Sequence, residues 1–270
     1  MTKLLQISDL HFGTEQPDVV RALKALSDET KPDVLVVSGD ITQRATSDEF
    51  SRARAFCDSL GIAQMMAMPG NHDVPLYNVF ARLTHPYAAY QSAFGQQLES
   101  ELITPALCLV TVNTTRWWRH KNGEVSKAQI ERVCEYLSRA TLQQLRVVVV
   151  HQPVHVLRPQ DEQDRLRGWE PAVRAWAAAG ADVVMGGHIH LPYVCDLSSA
   201  VKALPRRMWC VQAGTAVSSR IRRDTPNSVN LLVFSSGDDR PHCTVERWNY
   251  QTAQSRFALA HTSSLDLQRD

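Results

Sequence analysis

The sequence predicts a layered α/β fold. Three observations carry this reading. Apolar strand-like runs alternate with helical patterns, the runs are short and end in polar or glycine residues, and helix-start signals stand between them. "KLLQIS" precedes a helical pattern at 17–30, "DVLVVS" precedes another at 47–60, "IAQMMAM" follows at 62–68, and a later set begins near 107. Ser47, followed by Asp48 and Glu49, reads as the acidic start of one helix, and Ser126 with Gln129 has capping-box spacing for another. "LRVVVV" at 145–150 and "ADVVMGG" at 181–187 read as further buried strands, being short, β-branched and followed by polar or glycine residues. After residue 190 the helical patterns thin out, and "RMWCVQAG", "NSVNLLVFSS" and "CTVERWNY" read as strands of a more antiparallel region. The reading is of one domain over 1–270 with a β-rich C-terminal part at 191–270. Residues 74–100, with Pro75, Pro86 and several aromatics, interrupt the alternation and form a candidate cap.

Composition narrows the functional classes. Lys and Arg together number 29 against 28 for Asp and Glu, a net charge of +1, which argues against a surface built throughout for nucleic acid or anionic membrane. No stretch approaches the roughly 18 apolar residues of a membrane span. "MTKLLQISDLHFG" reaches Asp9 and His11 too early for a secretory signal and reads as the first strand of a cytoplasmic protein. The cysteines at 57, 108, 134, 195, 210 and 243 form no CxxC pair and read as reduced thiols.

Five strand-like runs end in residues able to hold a metal: Asp9 and His11, then Asp40, then Asn71, His72 and Asp73, then His151, then His188 and His190. Loops at the carboxyl ends of strands in an α/β sheet converge on one crevice, so these fragments are expected to form one site. Imidazoles, carboxylates and an amide oxygen without a thiolate suit Mn, Fe, Zn, Co or Ni rather than calcium or an iron–sulfur cluster. Even without His72 and Asp73, the seven candidate ligands that remain exceed what one ion takes alongside substrate and water. Two ions sharing one carboxylate account for them.

These blocks, in the order DxH, GD, GNHD, H and GHxH over roughly residues 3–190, resemble the calcineurin-like metallophosphoesterases. Asp9 to Asp40 is 31 residues, Asp40 to Asn71 is 31, Asn71 to His151 is 80 and His151 to His188 is 37; the long third gap resembles class III 3′,5′-cyclic nucleotide phosphodiesterases and related glycerophosphodiesterases. The resemblance implies an α/β/β/α sandwich with two mixed sheets flanked by helices. It further implies that Asp9, His11 and His190 bind one divalent or trivalent ion and Asn71, His151 and His188 another, with Asp40 bridging (Mn, Fe, Zn or Co). His72 would be the catalytic imidazole, while Asp73 would orient its neighbours. Where some relatives carry a further His before the one matching His151, this chain has Val150.

The implied reaction is hydrolysis of a phosphodiester by a metal-bridged hydroxide. Two divalent ions set against Asp9, Asp40 and hydroxide leave one formal positive charge, complementary to a diester monoanion; nearby arginines would add charge suited to a monoester. A cyclic nucleotide is the first candidate substrate. Glycerophosphodiesters, a lipid-linked pyrophosphate and nucleic acid are the alternatives, and a non-catalytic interaction scaffold is the rival of another class. A homodimer is compatible with this reading.

Three further residues are candidates for the substrate side. Arg44 lies just beyond Asp40, together with Gln43; His155 follows His151 across Pro153, which argues against helical i,i+4 metal pairing; and Arg220 belongs to a cluster with Arg206, Arg207, Arg222 and Arg223. Trp117 and Trp118 are either stacking or packing residues, and Tyr77, Phe80, Tyr87 and Tyr90 either line an entrance or form a small cluster. His85, His120, His242 and His261 read as surface or core histidines.

Overall fold

A computed structural model describes residues 1–223, 225–237 and 241–269. The N-terminal half runs β1 (Thr2–Ile7), α1 (Pro17–Thr30), β2 (Val34–Ser38), α2 (Ser47–Ser59), β3 (Gln64–Met68), α3 (Val79–Thr84), α4 (Ala88–Phe94), β4 (Glu101–Ile103) and β5 (Leu107–Thr111). It continues with α5 (Lys127–Leu137), β6 (Leu145–Val149), α6 (Trp169–Ala178), β7 (Val183–Gly186), β8 (Tyr193–Asp196), α7 (Leu197–Ala200), β9 (Trp209–Gln212), β10 (Ser228–Ser235), β11 (His242–Gln251) and β12 (Arg256–Leu265).

The strands form two six-stranded sheets, ordered β12-β11-β10-β1-β2-β3 and β4-β5-β6-β7-β9-β8. β1, β2 and β3 are parallel, as are β5, β6, β7 and β9; β10, β11 and β12 extend the first sheet antiparallel, and β4 and β8 are antiparallel edges of the second. Alternating side chains explain the layering. Leu4, Val34 and Val36 pack against Leu109, Val147 and Val149 between the sheets, while Leu5, Leu35 and Val37 face α1 and α2, and Cys108, Val110 and Val148 face α5 and α6. This is the α/β/β/α sandwich expected, with continuous apolar strands because both faces of each sheet are covered.

Local chemistry sets the helix ends. Ser126 caps α5 in the expected capping box, its hydroxyl accepting from the Gln129 N–H at 3.2 Å. For α2 the cap is Thr46 rather than Ser47: its side chain accepts from the Glu49 N–H, and Glu49 accepts from the Thr46 N–H at 3.2 Å. The box needs its acidic partner three residues on, and only Thr46 has that spacing to Glu49.

Residues 74–100 divide into two parts. α4 sends Tyr90, 1% exposed, against Phe50 and Phe94, with ring centroids 6.1 and 5.5 Å away. α3 buries none of its residues. Residues 191–237 and 241–265 are divided between both sheets, so the β-rich part is woven into the sandwich. All six cysteines are free, and no helix among the described residues is long and apolar enough to cross a membrane. Tyr90→Ala is expected to cost about 3–5 kcal/mol of stability, as a fully buried aromatic does, with the loss measured by urea unfolding; a change below about 1 kcal/mol would show that α4 is not part of the core.

Candidate metal centre

The parallel strands β1, β2 and β3 of one sheet and β6 and β7 of the other deliver their C-terminal loops to one edge of the sandwich. A buried amide network joins the sheets beneath it. Gln6 donates to the Ser38 hydroxyl (3.2 Å) and to the Gly186 carbonyl (3.0 Å), and Asn230 donates to Gln6 (2.9 Å).

Close approach of the loops is bought with unusual backbone. Asp9, His11, Asp40, His188 and His190 have φ between 42° and 73°, the left-handed region that non-glycine residues rarely enter. Gly39, at φ 95°, and Gly70 let the loops after β2 and β3 touch: a Cβ on Gly39 would strike the His151 imidazole, and one on Gly70 would strike the Asp40 backbone and carboxylate. Asp73 then ties these loops, accepting from the N–H groups of Gly70 (2.8 Å), Ile41 (3.0 Å) and Thr42 (2.8 Å) and from the Thr42 hydroxyl (2.8 Å).

Three groups of donors result, Asp9 with His11 and His190, His11 with Asp40 and His72, and Asp40 with His151 and His188. Asp40 stands between two sides. Its Oδ2 lies 3.8 Å from His11 Nε2, whereas its Oδ1 lies 3.2 Å from His151 Nε2 and accepts from the His72 N–H at 2.8 Å. On the first side, His190 Nε2 is 3.2 Å from both Asp9 Oδ1 and His11 Nε2.

Backbone carbonyls orient three imidazoles. His151 Nδ1 donates to Ser38 O (2.8 Å), His190 Nδ1 to Arg220 O (2.5 Å) and His72 Nδ1 to Gln43 O (3.0 Å). Because a carbonyl only accepts, each of these rings keeps a proton on Nδ1 and turns Nε2 toward the cluster, the orientation metal-binding histidines require.

Electrostatics agree with this reading. Burial opposes ionisation of Asp9, yet the facing His190, together with its hydrogen bond, brings the carboxyl down to about 2. Burial likewise opposes ionisation of Asp40, but His151 and then His72 hold it well below the usual carboxylate range. Burial lowers His11 to about 3, so it is neutral. His151 moves the other way: burial lowers its pKa, but Asp40 outweighs this and raises it to about 9.

The fit to cations is tested by what the protein leaves unpaired. Asn71 Oδ1 and both ring nitrogens of His188 are buried and make no hydrogen bond. Buried polar atoms rarely lack partners, and three on one side of Asp40, an amide oxygen and two imidazole nitrogens, are what a cation site leaves.

Arg44 borders a cavity of about 100 Å³ beside Asn71 and His72, which Gln43, Leu76, Tyr77 and His120 also line. Arg220 reaches His72, its Nη1 lying 3.1 Å from Nε2 and 3.0 Å from Gln43 Oε1. His155 belongs to none of the three donor groups: its carbonyl accepts from the Tyr193 hydroxyl, and burial, then Arg165, lower its pKa. The arginine cluster disperses. Arg222 pairs with Asp161 (3.0 Å) and donates to Ile189 O, whereas Arg206 and Arg207 pair with Asp182 and Asp196.

Sequence reasoning missed Asp164 and His120. Asp164 Oδ1 is 3.9 Å from His188 Nε2 and 2.6 Å from Lys121 Nζ. It sits in an acidic 3₁₀ turn, Pro159–Asp164, whose composition resembles any solvated loop. His120 comes to the cavity because Arg82, on α3, donates to Arg119 O at 2.6 Å.

Known proteins share this architecture. A purple acid phosphatase from yellow lupin (Lupinus luteus) seeds superposes with a TM-score of 0.70 at 13% identity, covering 97% of this chain and 53% of its own, so this chain spans about half its length. A dimetal phosphatase from Danio rerio superposes with a TM-score of 0.66 at 13% identity, covering 99% of both chains. Vps29 complexed with Zn²⁺ from Entamoeba histolytica gives a TM-score of 0.50 at 11% identity, covering 98% of this chain and 100% of its own. Comparison with curated proteins gives no match. At such identities the superpositions speak for the fold, whereas residues 2–192 match the calcineurin-like phosphoesterase family directly, and the chain belongs to it.

Proposed function

We propose that this chain is a binuclear metal-dependent phosphodiesterase. The observation that carries the reading is Asp40, whose two oxygens face different donor groups. In the proposed assignment Asp9, His11 and His190 hold one ion, Asn71, His151 and His188 the other, and Asp40 bridges. Mn, Fe, Zn and Co all suit these donors. Two such ions, when bound, polarise phosphoryl oxygens and acidify water.

The chain's own groups do the rest. Arg220 donates to His72 Nε2 and to Gln43 Oε1, so it is drawn away from both when a phosphate offers it charged oxygens. His72, still held through Nδ1 by Gln43 O, then has Nε2 free to take up a proton from solvent and pass it to the leaving alkoxide. Arg44 lines the adjoining cavity and is assigned to the substrate side. His155 is assigned no contact with substrate. The six free cysteines are compatible with a reducing compartment such as the cytoplasm.

Arg220 also favours a second reading. Its charge adds to the single formal positive charge left by two divalent ions, Asp9, Asp40 and hydroxide, which improves the match to a monoester dianion. The two readings separate on Mn²⁺-loaded protein with bis(p-nitrophenyl) phosphate and p-nitrophenyl phosphate, followed by cAMP, glycerophosphodiesters and single-stranded DNA. A diesterase has the higher kcat/KM on the bis ester, and His72→Ala lowers it by about 10²-fold or more. Arg220→Gln lowers kcat/KM by about tenfold on both esters under the diester reading, and about tenfold further on the monoester under the second. No turnover with two ions bound would overturn both in favour of an interaction scaffold.

The bridge has its own test. Asp40→Ala is expected to lose both ions and Asp9→Ala chiefly one, measured as metal content after gel filtration. Loss of a single ion in each variant would contradict the bridge.

Uptake of the ion beside His151 must displace that residue's proton, because its metal-free pKa is about 9. Below that pH the imidazole is protonated, so affinity rises with pH by up to about tenfold per unit and levels off above pH 9. Calorimetry in buffers of different ionisation enthalpy counts the proton; zero release at pH 7 would show that His151 is already neutral in the metal-free protein.

A further inference from the structure

The apolar side chains around the cavity stay out of the core. Tyr77, Val79, Phe80 and Leu83 are exposed, Tyr77 at 80% and Phe80 at 77%, as are Trp117 and Trp118. They form one rim. Arg82 donates from α3 to Pro75 O (2.9 Å) and Arg119 O (2.6 Å), and the Tyr87 hydroxyl meets Thr115 at 2.8 Å, so 74–87 and 115–120 abut. The cavity beside Asn71 and His72 opens between them, with Leu76 and Tyr77 from one segment and His120 from the other.

Charge around this rim departs from the rest of the molecule. In a chain of net charge +1, no acidic residue occurs between Asp73 and Glu99, nor between Glu101 and Glu124. Arg119 and Lys121 are neutralised by Glu124 and Asp164. Arg82 and Arg116 donate only to carbonyl oxygens, and the Arg44 guanidinium has no hydrogen-bond or ion-pair partner among the described residues. The rim thus combines protruding aliphatic and aromatic side chains with uncompensated cations.

We infer that this rim docks on the surface of an anionic phospholipid bilayer and presents the metal centre to a phosphodiester carried at headgroup depth. Tyr and Trp suit the boundary between headgroups and acyl chains, aliphatic side chains enter it, and arginines meet the anionic headgroups. Other occupants fit less well. Trp117 and Trp118 meet edge to face at 85°, which offers no pair of parallel faces to successive bases, and Val79 and Leu83 add no stacking surface. A second copy on a two-fold axis would bring the uncompensated arginines opposite their own copies.

The inference rests on the phosphodiesterase reading for its chemistry. One water is consumed: its oxygen bonds to phosphorus, the bond from phosphorus to the lipid alkoxide breaks, and a proton passes to that alkoxide.

The test uses the full, Mn²⁺-loaded chain and sedimentation with vesicles of phosphatidylcholine, with and without phosphatidylglycerol. Wild type is expected to sediment with the anionic vesicles and weakly with the neutral ones. Phe80→Ser and Trp118→Ser are each expected to weaken that partition by about tenfold, the scale of one buried aromatic, while keeping the wild-type melting temperature because both side chains are exposed. Failure of wild type to sediment, or partition unchanged in the variants, overturns the inference. So does saturable binding of oligothymidylate, or a concentration-dependent dimer, that the same variants abolish in place of vesicle binding. Wild-type turnover of bis(p-nitrophenyl) phosphate, measured in parallel, separates the parts: turnover without vesicle binding removes the docking alone, and vesicle binding without turnover removes the chemistry alone.

Discussion

Two carboxylates buried 3–4 Å from imidazoles set the terms for this molecule. Asp9 and Asp40 are 0% and 1% exposed, and both are held ionised. Buried charge is costly unless paired, and here the pairing is shared among histidines that must themselves stay oriented. Deleting either carboxylate removes the charge against which the rest of the crevice is arranged.

The fold meets this demand through topology. Parallel strands in both sheets end at the same edge, so the loops after β1, β2 and β3 face those after β6 and β7. Gln6, Ser38, Asn230 and the Gly186 carbonyl fix the distance between the sheets just below the crevice. The left-handed backbone at five of the donor residues is then held by the surrounding contacts, notably by Asp73, which binds the β2 and β3 loops through four donors. Rigidity here has a chemical purpose, since a donor set displaced by a fraction of an ångström holds ions poorly.

Around this rigid crevice the periphery is built differently. α4 is anchored in the core through Tyr90, whereas α3 and the segment around Trp117 project apolar side chains into solvent. The same region supplies Tyr77 and His120 to the cavity at His72. Metal-type donors and the outer cavity wall therefore come from different parts of the chain: strand-end loops supply the first, and an acid-free, aromatic rim contributes to the second.

The residues themselves determined the sandwich and the donor set. Short, continuous apolar runs mark strands covered on both faces, and DxH, GD, GNHD, H and GHxH are short motifs whose identity needs no long-range information. Helix caps were legible to within one residue, Thr46 against Ser47, because the Glu at the third position is local. Tertiary structure alone decided which oxygen of Asp40 faces which donor group, that Arg220 among five arginines reaches His72, that Asp164 lies near His188, and that Tyr90 is core while Phe80 is exposed. Each of these depends on the path of a loop between distant strands. Side-chain composition there is that of ordinary surface, and only the packing of the two sheets sets its direction.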